Sequence, residues 1–201
     1  MDIRFKLALN VALVFGLLSG CSLLRETPPP REFGTLDLLL YPDLLPNGWE
    51  ITAKPTTQER LDAMGLRNTI RGSQIVLQTS NSSIDQMVVV FPSKWDATRS
   101  YKDHDYTGNT YGLYPTTWEP MFGFEYTSLL ADQFRVVCSN IANVKKIGEE
   151  CIIEAQYDEF FSILIYHTKN ADQAIDELGL IAKTVDSQML KYLEKQPETN
   201  P

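Results

Sequence analysis

The side chains with chemistry to offer are few: three cysteines, two histidines and a crowd of aromatic residues. Cys138 and Cys151 end and begin two apolar runs, with Ser139 to Glu150 between them. If those runs are paired strands, both sulfurs sit at the base of one loop. The alternative is a thiol pair for metal or redox work. A metal would need two further ligands, and neither His104 nor His167 has one at the usual spacing. The spacing is also not Cys-x-x-Cys. A disulfide between Cys138 and Cys151 is the expectation, and no cofactor is called for.

The aromatic crowd lies between Trp95 and Pro120, read as a long loop with Gly108, Gly112 and Pro115 as breakers. Tyr101, Tyr106, Tyr111, Tyr114 and Trp118 offer flat apolar faces with a hydroxyl or N–H handle. Such faces bind sugars or partner proteins; equally, they cover the side of a sheet. Asp103-His104-Asp105-Tyr106-Thr107-Gly108 echoes the start of a calcium loop, which makes Asp103 and Asp105 the metal candidates. The echo stops at the twelfth position, Tyr114, where a bidentate Glu belongs. His104 beside Asp105 offers a base with an orienter, but no nucleophile motif accompanies it. No catalytic residue is assigned.

The N-terminus carries the clearest pattern. Arg4 and Lys6 precede an apolar run from Leu7 to Leu18, and Leu18-Ser19-Gly20-Cys21 follows at once. The run is short for a membrane span of ~20 residues and suits a secretory signal. The last four residues resemble the lipobox of bacterial lipoproteins. That resemblance covers residues 1–21 and implies cleavage after Gly20 and diacylglycerol on Cys21. It places the chain on the outer face of a bacterial membrane. Ser22 implies the outer membrane where the cell has one. Residues 21–35, with Pro28-Pro29-Pro30, read as a semi-stiff tether. Residues 36–195 read as one domain and 196–201 as a frayed polar tail.

Other elements must position these groups. The chain has 201 residues, 43% of them apolar, and a net charge of -8. That is globular composition for a single domain, and too acidic for nucleic-acid binding through charge. Strands are expected at Trp49–Ala53, Ser73–Thr79, Asp85–Phe91, Gln133–Ser139, Cys151–Tyr157 and Phe160–Thr168. Asp158-Glu159 between the last two predicts a hairpin. The last strand is apolar on both faces, so it should be central. Thr56 with Glu59 matches a capping box, which predicts a short helix to Met64 before Gly65. Ile175, Leu178, Ile181, Ala182, Val185, Met189 and Leu193 form one stripe of a long helix from Asn170 to about Glu194. The expected fold is α+β: one mainly antiparallel sheet, with the short helix and the amphipathic C-terminal helix packed on one face. Pro46-Asn47-Gly48-Trp49 resembles the Pro-x-Gly-Trp strand entry of the lipidated extrinsic photosystem proteins, which implies an α/β sandwich.

These observations point to a membrane-anchored, extracytoplasmic, non-catalytic lipoprotein that serves as an accessory or interaction module. Its partners would be the membrane, through lipid, and an envelope protein. Such a module should show no deep pocket and a flat exposed apolar patch. The alternative is a ligand- or glycan-binding lipoprotein with a pocket lined by the aromatic loop. A weaker alternative, an envelope hydrolase, requires His104 facing a carboxylate and a hydroxyl in a cleft.

Overall fold

A computed structural model describes residues 28–60, 66–104, 117–140, 150–169 and 171–193. Seven strands alternate with two helices. They are β1 (Glu50–Glu59), β2 (Arg71–Gln78), β3 (Ser82–Val90), α1 (Lys94–Asp103), β4 (Thr117–Pro120), β5 (Gln133–Asn140), β6 (Glu150–Tyr157), β7 (Phe160–Thr168) and α2 (Ala171–Leu193). All strands join one sheet in the order β1-β2-β3-β7-β6-β5-β4, and every pairing is antiparallel. The fold is α+β, as expected, and β7 is the middle strand.

β7 shows why the sheet needs cover on both sides. Alternate residues point to opposite faces of a strand. Phe160, Leu164 and Tyr166 enter the core beneath α2, with Leu178, Ile181, Ala182, Val185 and Met189 of that helix. Phe161 and Ile163 enter a second core with Ala97 and Tyr101 of α1. The helices therefore lie on opposite faces, not together on one. One apolar stripe on α2 cannot cover both faces of β7. Leu38, Leu39 and Leu40 of the N-terminal segment complete the α2 core and are fully buried. Ile175, expected in the α2 stripe, is instead exposed.

Two local expectations fail. β1 runs through Thr56 to Glu59, where the capping box predicted a helix. Thr57 Oγ1 lies 2.9 Å from Ser73 Oγ, and the ladder pairs Thr56 to Glu59 with β2. Pairing along a whole strand outweighs one local cap. Residues 61–64 of that expected helix lie outside the described residues. The short helix forms instead at Lys94–Asp103, inside the segment expected as a loop, and residues 117–120 of that segment are a strand. Ser93 is its N-cap, accepting from the Asp96 N–H at 3.1 Å and donating to the Asp96 carboxylate at 2.6 Å.

Cys138 lies opposite Cys151 on the paired strands β5 and β6, and the two form a disulfide. The edges of the sheet are blunt: β1 is bulged and almost wholly exposed, and β4 is four residues long and ends in Pro120.

Candidate functional site

The α1 face carries the most concentrated chemistry. Glu154 sits in the middle of β6 and is fully buried. Arg135 is its direct neighbour across the β5–β6 ladder. Its Nε donates to Glu154 Oε2 at 2.8 Å, and Nη2 lies 2.6 Å from the same oxygen. Nη2 also donates to the carbonyls of Tyr101 and His104, each at 3.1 Å. Those carbonyls belong to the last turn and C-cap of α1, so Arg135 closes the helix end that lacks internal donors. The guanidinium also lies 4.5 Å from the centre of the Tyr101 ring. His104 is the C-cap residue, and its Nδ1 meets Glu154 Oε1. One buried carboxylate thus anchors a strand cation and a helix-end imidazole. The His104 ring also meets Phe161 edge-on at 6.0 Å.

A cleft of about 400 Å³ lies beside this group, lined by Arg67, Asn68, Trp95, Arg99, Ser100 and His104, among others. The imidazole is nonetheless a wall and not a prong, since its side chain is only 4% exposed. A carboxylate partner was expected at Asp105; it is Glu154. Asp105 lies outside the described residues. Asp103 forms an exposed pair with Arg99 at 3.3 Å, and no group of three or more potential metal ligands occurs among the described residues.

The predicted aromatic site divides. Tyr101 is 7% exposed and packs its ring 5.6 Å from Phe161. Burial pushes its hydroxyl up to about 12, with Arg135 opposing and Glu154 adding to the rise. Trp118 packs against the same α1-face core. These two rings cover the sheet; Tyr101 has no open face to present. Tyr106, Tyr111 and Tyr114 lie outside the described residues, as does Cys21. Sequence reading missed Glu154 and Arg135. The signal was present: single charges inside the apolar runs Cys151–Tyr157 and Gln133–Ser139. A buried charge in a strand requires a partner.

On the α2 face, carboxylates meet phenols. Asp186 accepts from Tyr126 at 2.5 Å and from Tyr157. Glu177 accepts from Ser82 at 3.0 Å and from Tyr166. Tyr166 is pushed up to about 12, by burial first and then by Glu177. Tyr157 is raised well above its ordinary value by burial and by the Asp186 charge.

Apolar side chains are left open to water in several places, Trp95 of α1 (53% exposed) among them. Phe122 and Leu129 are 97% and 96% exposed, and Leu130, Ile175 and Leu180 are partly so. Gly123 (φ +81°) lets the chain turn tightly from Met121 to Phe124 beside Ile175. No described helix is long and apolar enough to cross a membrane.

The class is thus an antiparallel α+β sheet with one helix on each face and a disulfide across two neighbouring strands. No protein-family model matches the chain, and no curated protein does. Among solved structures it is similar to the extracellular domain of PknH from Mycobacterium tuberculosis. The TM-score is 0.53 at 13% identity, over 81% of this chain and 98% of that one. That likeness establishes a shared fold. An uncharacterized protein from Mycobacterium smegmatis, an Rv0999 ortholog, matches at a TM-score of 0.36 and 10% identity, over 72% of this chain and 92% of that one. The second likeness is too loose to carry an argument.

Proposed function

We propose that this chain is a lipid-anchored extracytoplasmic lipoprotein whose domain is a non-catalytic interaction module. The observation that carries the location is the Cys138–Cys151 disulfide. Such bonds persist in oxidising compartments and are rare in the cytosol. The lipobox-like Leu18-Ser19-Gly20-Cys21 supports the same compartment and supplies the anchor. The similar fold of a domain described as extracellular agrees with both. The module role is supported by the exposed Phe122, Leu129, Ile175 and Leu180. Catalysis by His104 is disfavoured by its burial and by Arg135 on its only described carboxylate partner.

Intact mass of the membrane-extracted protein tests the anchor. The expected product lacks residues 1–20 and carries a diacylglycerol adduct on Cys21. A soluble product beginning elsewhere, or an unprocessed Met1 in the membrane, overturns the reading. Cys21→Ser should release the domain or leave the precursor uncleaved.

A second reading, capture of a small ligand, is favoured by the cleft beside α1. It predicts that Arg67→Ala abolishes binding of that ligand while leaving stability unchanged.

A further inference from the structure

The N-terminal segment enters the domain at one definite end of the sheet. Arg31 grips the β6–β7 hairpin there. Its Nε donates to Glu159 Oε1 at 2.7 Å and its Nη2 to Oε2 at 2.9 Å, while Asp158 lies 3.5 Å away. This paired fork leaves the Arg31 side chain only 12% exposed. Phe33 follows and packs on Phe160 and Tyr192, with ring centres at 5.6 and 5.4 Å. Arg31 is thus fixed at the hairpin end of the sheet.

Leu129 and Leu130 belong to the same end. Lys94 Nζ bridges Asp158 at 3.2 Å and Asp132 at 2.5 Å. Asp132 also accepts from the Asp158 N–H at 2.9 Å, and its own N–H donates to the Gln156 carbonyl at 2.8 Å. The two leucines lie just before Asp132 in the chain. The Ser128 hydroxyl accepts the N–H groups of Leu130 and Ala131, at 3.2 and 2.9 Å. That turn holds Leu129 at the tip, 96% exposed. An apolar side chain held open to water on a hydrogen-bonded turn has its contact surface already ordered.

The distance to a bilayer is bounded by covalent geometry. Nine residues lie between Cys21 and Arg31, ten chain steps in all, and an extended chain spans at most roughly 3.6 Å per residue. The hairpin end therefore stays within roughly 36 Å of the lipid-bearing thiol. At so short a tether the local concentration of membrane is high, and even a weak second contact is populated. Charge does not drive this contact. Asp132, Asp158 and Glu159 outnumber the Lys94 and Arg31 that pair with them at this end, and the whole chain is acidic.

We propose that Leu129 and Leu130 form a second, apolar contact with the zwitterionic surface of the bilayer that anchors Cys21. The contact seats the hairpin end on the headgroups. It turns the opposite end, with the disulfide, toward the partner side. This rests on the lipoprotein reading and deepens it. Phe122 supplies the internal control. It is just as exposed, but its turn sits beside Ile175 in the first turns of α2, which begins after β7 has run away from the hairpin.

The test uses the full acylated protein in phosphatidylcholine vesicles. An environment-sensitive fluorophore is placed at Leu129→Cys or at Phe122→Cys, with closure of the Cys138–Cys151 bond checked by peptide mapping. The label at 129 should shift to the blue and be quenched several-fold by nitroxide-bearing lipid, while the label at 122 should stay unquenched. With the Cys21 adduct confirmed by mass, an unquenched label at 129 overturns the leucine contact alone. Quenching at 122 instead overturns the orientation. A missing adduct removes the lipoprotein reading and the contact with it.

Discussion

The two faces of the sheet solve one problem with different donors. Each holds carboxylates between a helix and the strands. Beneath α2 the acids belong to the helix, Glu177 and Asp186, and their partners are the neutral hydroxyls of Tyr166, Tyr126, Tyr157 and Ser82. Beneath α1 the acid belongs to the strand, Glu154, and its partners are a guanidinium and an imidazole. A phenol has no charge to desolvate, so removing an acid of the α2 arrangement leaves only neutral hydroxyls without their acceptor. The α1 arrangement sets a fully buried carboxylate against a guanidinium that is 29% exposed, so it is the loss of Arg135 that leaves a charge buried with a partner fewer.

That contrast predicts unequal mutational costs. Glu154→Ala should destabilise by about 3–5 kcal/mol in urea unfolding, because it removes the buried acceptor that Arg135 and His104 share and the end of α1 loses its fixed clamp. Asp186→Ala should cost about 1–3 kcal/mol, the ordinary penalty for unsatisfied buried hydroxyls. Equal losses would break the distinction between the faces. Next comes the covalent link between β5 and β6. Cys138→Ser with Cys151→Ser should cost on the order of 3 kcal/mol by loop-closure entropy and lower the melting temperature by several degrees. Unchanged melting would show that the paired strands hold this region unaided.

The tyrosines sharpen the comparison through pH. Tyr101 and Tyr166 are raised from about 10 to about 12 by burial. The folded protein then keeps protons that the unfolded chain releases. Their contribution to stability is complete below pH 10 and is lost as pH climbs from 10 toward 12. Phenolate absorbance should show these groups ionising only with unfolding, and free titration near pH 10 would refute their burial. The smallest effects belong to the exposed apolar tips. Leu129→Asn and Phe122→Ser should each change stability by less than about 0.5 kcal/mol. A larger loss at either position would mean that the tip is packed.

The contrast between faces was half legible in the amino-acid order. The α2 face announced itself through Leu178, Ile181, Ala182, Val185 and Met189, spaced for one helix stripe, and those residues are buried together. The α1 face did not. Its helix carries Lys94, Arg99, Lys102 and Asp103 among few apolar residues, so periodicity could not find it. Ser93 caps that helix through Asp96, whereas Thr56 to Glu59, the capping box read from the sequence, form strand. Thr56 and Glu59 lie on a strand with a partner in β2, and ladder hydrogen bonds decided the competition.

The positions of β2, β3, β5, β6 and β7, the central rank of β7, the Asp158–Glu159 hairpin and the cysteine pairing followed from local pattern. They depend on alternation, turn chemistry and adjacency in the chain, all carried within a few residues. The meeting of Glu154 with Arg135 and His104 depends on groups 19 and 50 residues apart. So do the grip of Arg31 on Glu159, 128 residues away, and the placing of Leu129 beside that entry point. Such contacts are set by strand register and by which helix covers which face. A buried charge only states that it needs a partner; the topology of the sheet chooses which one.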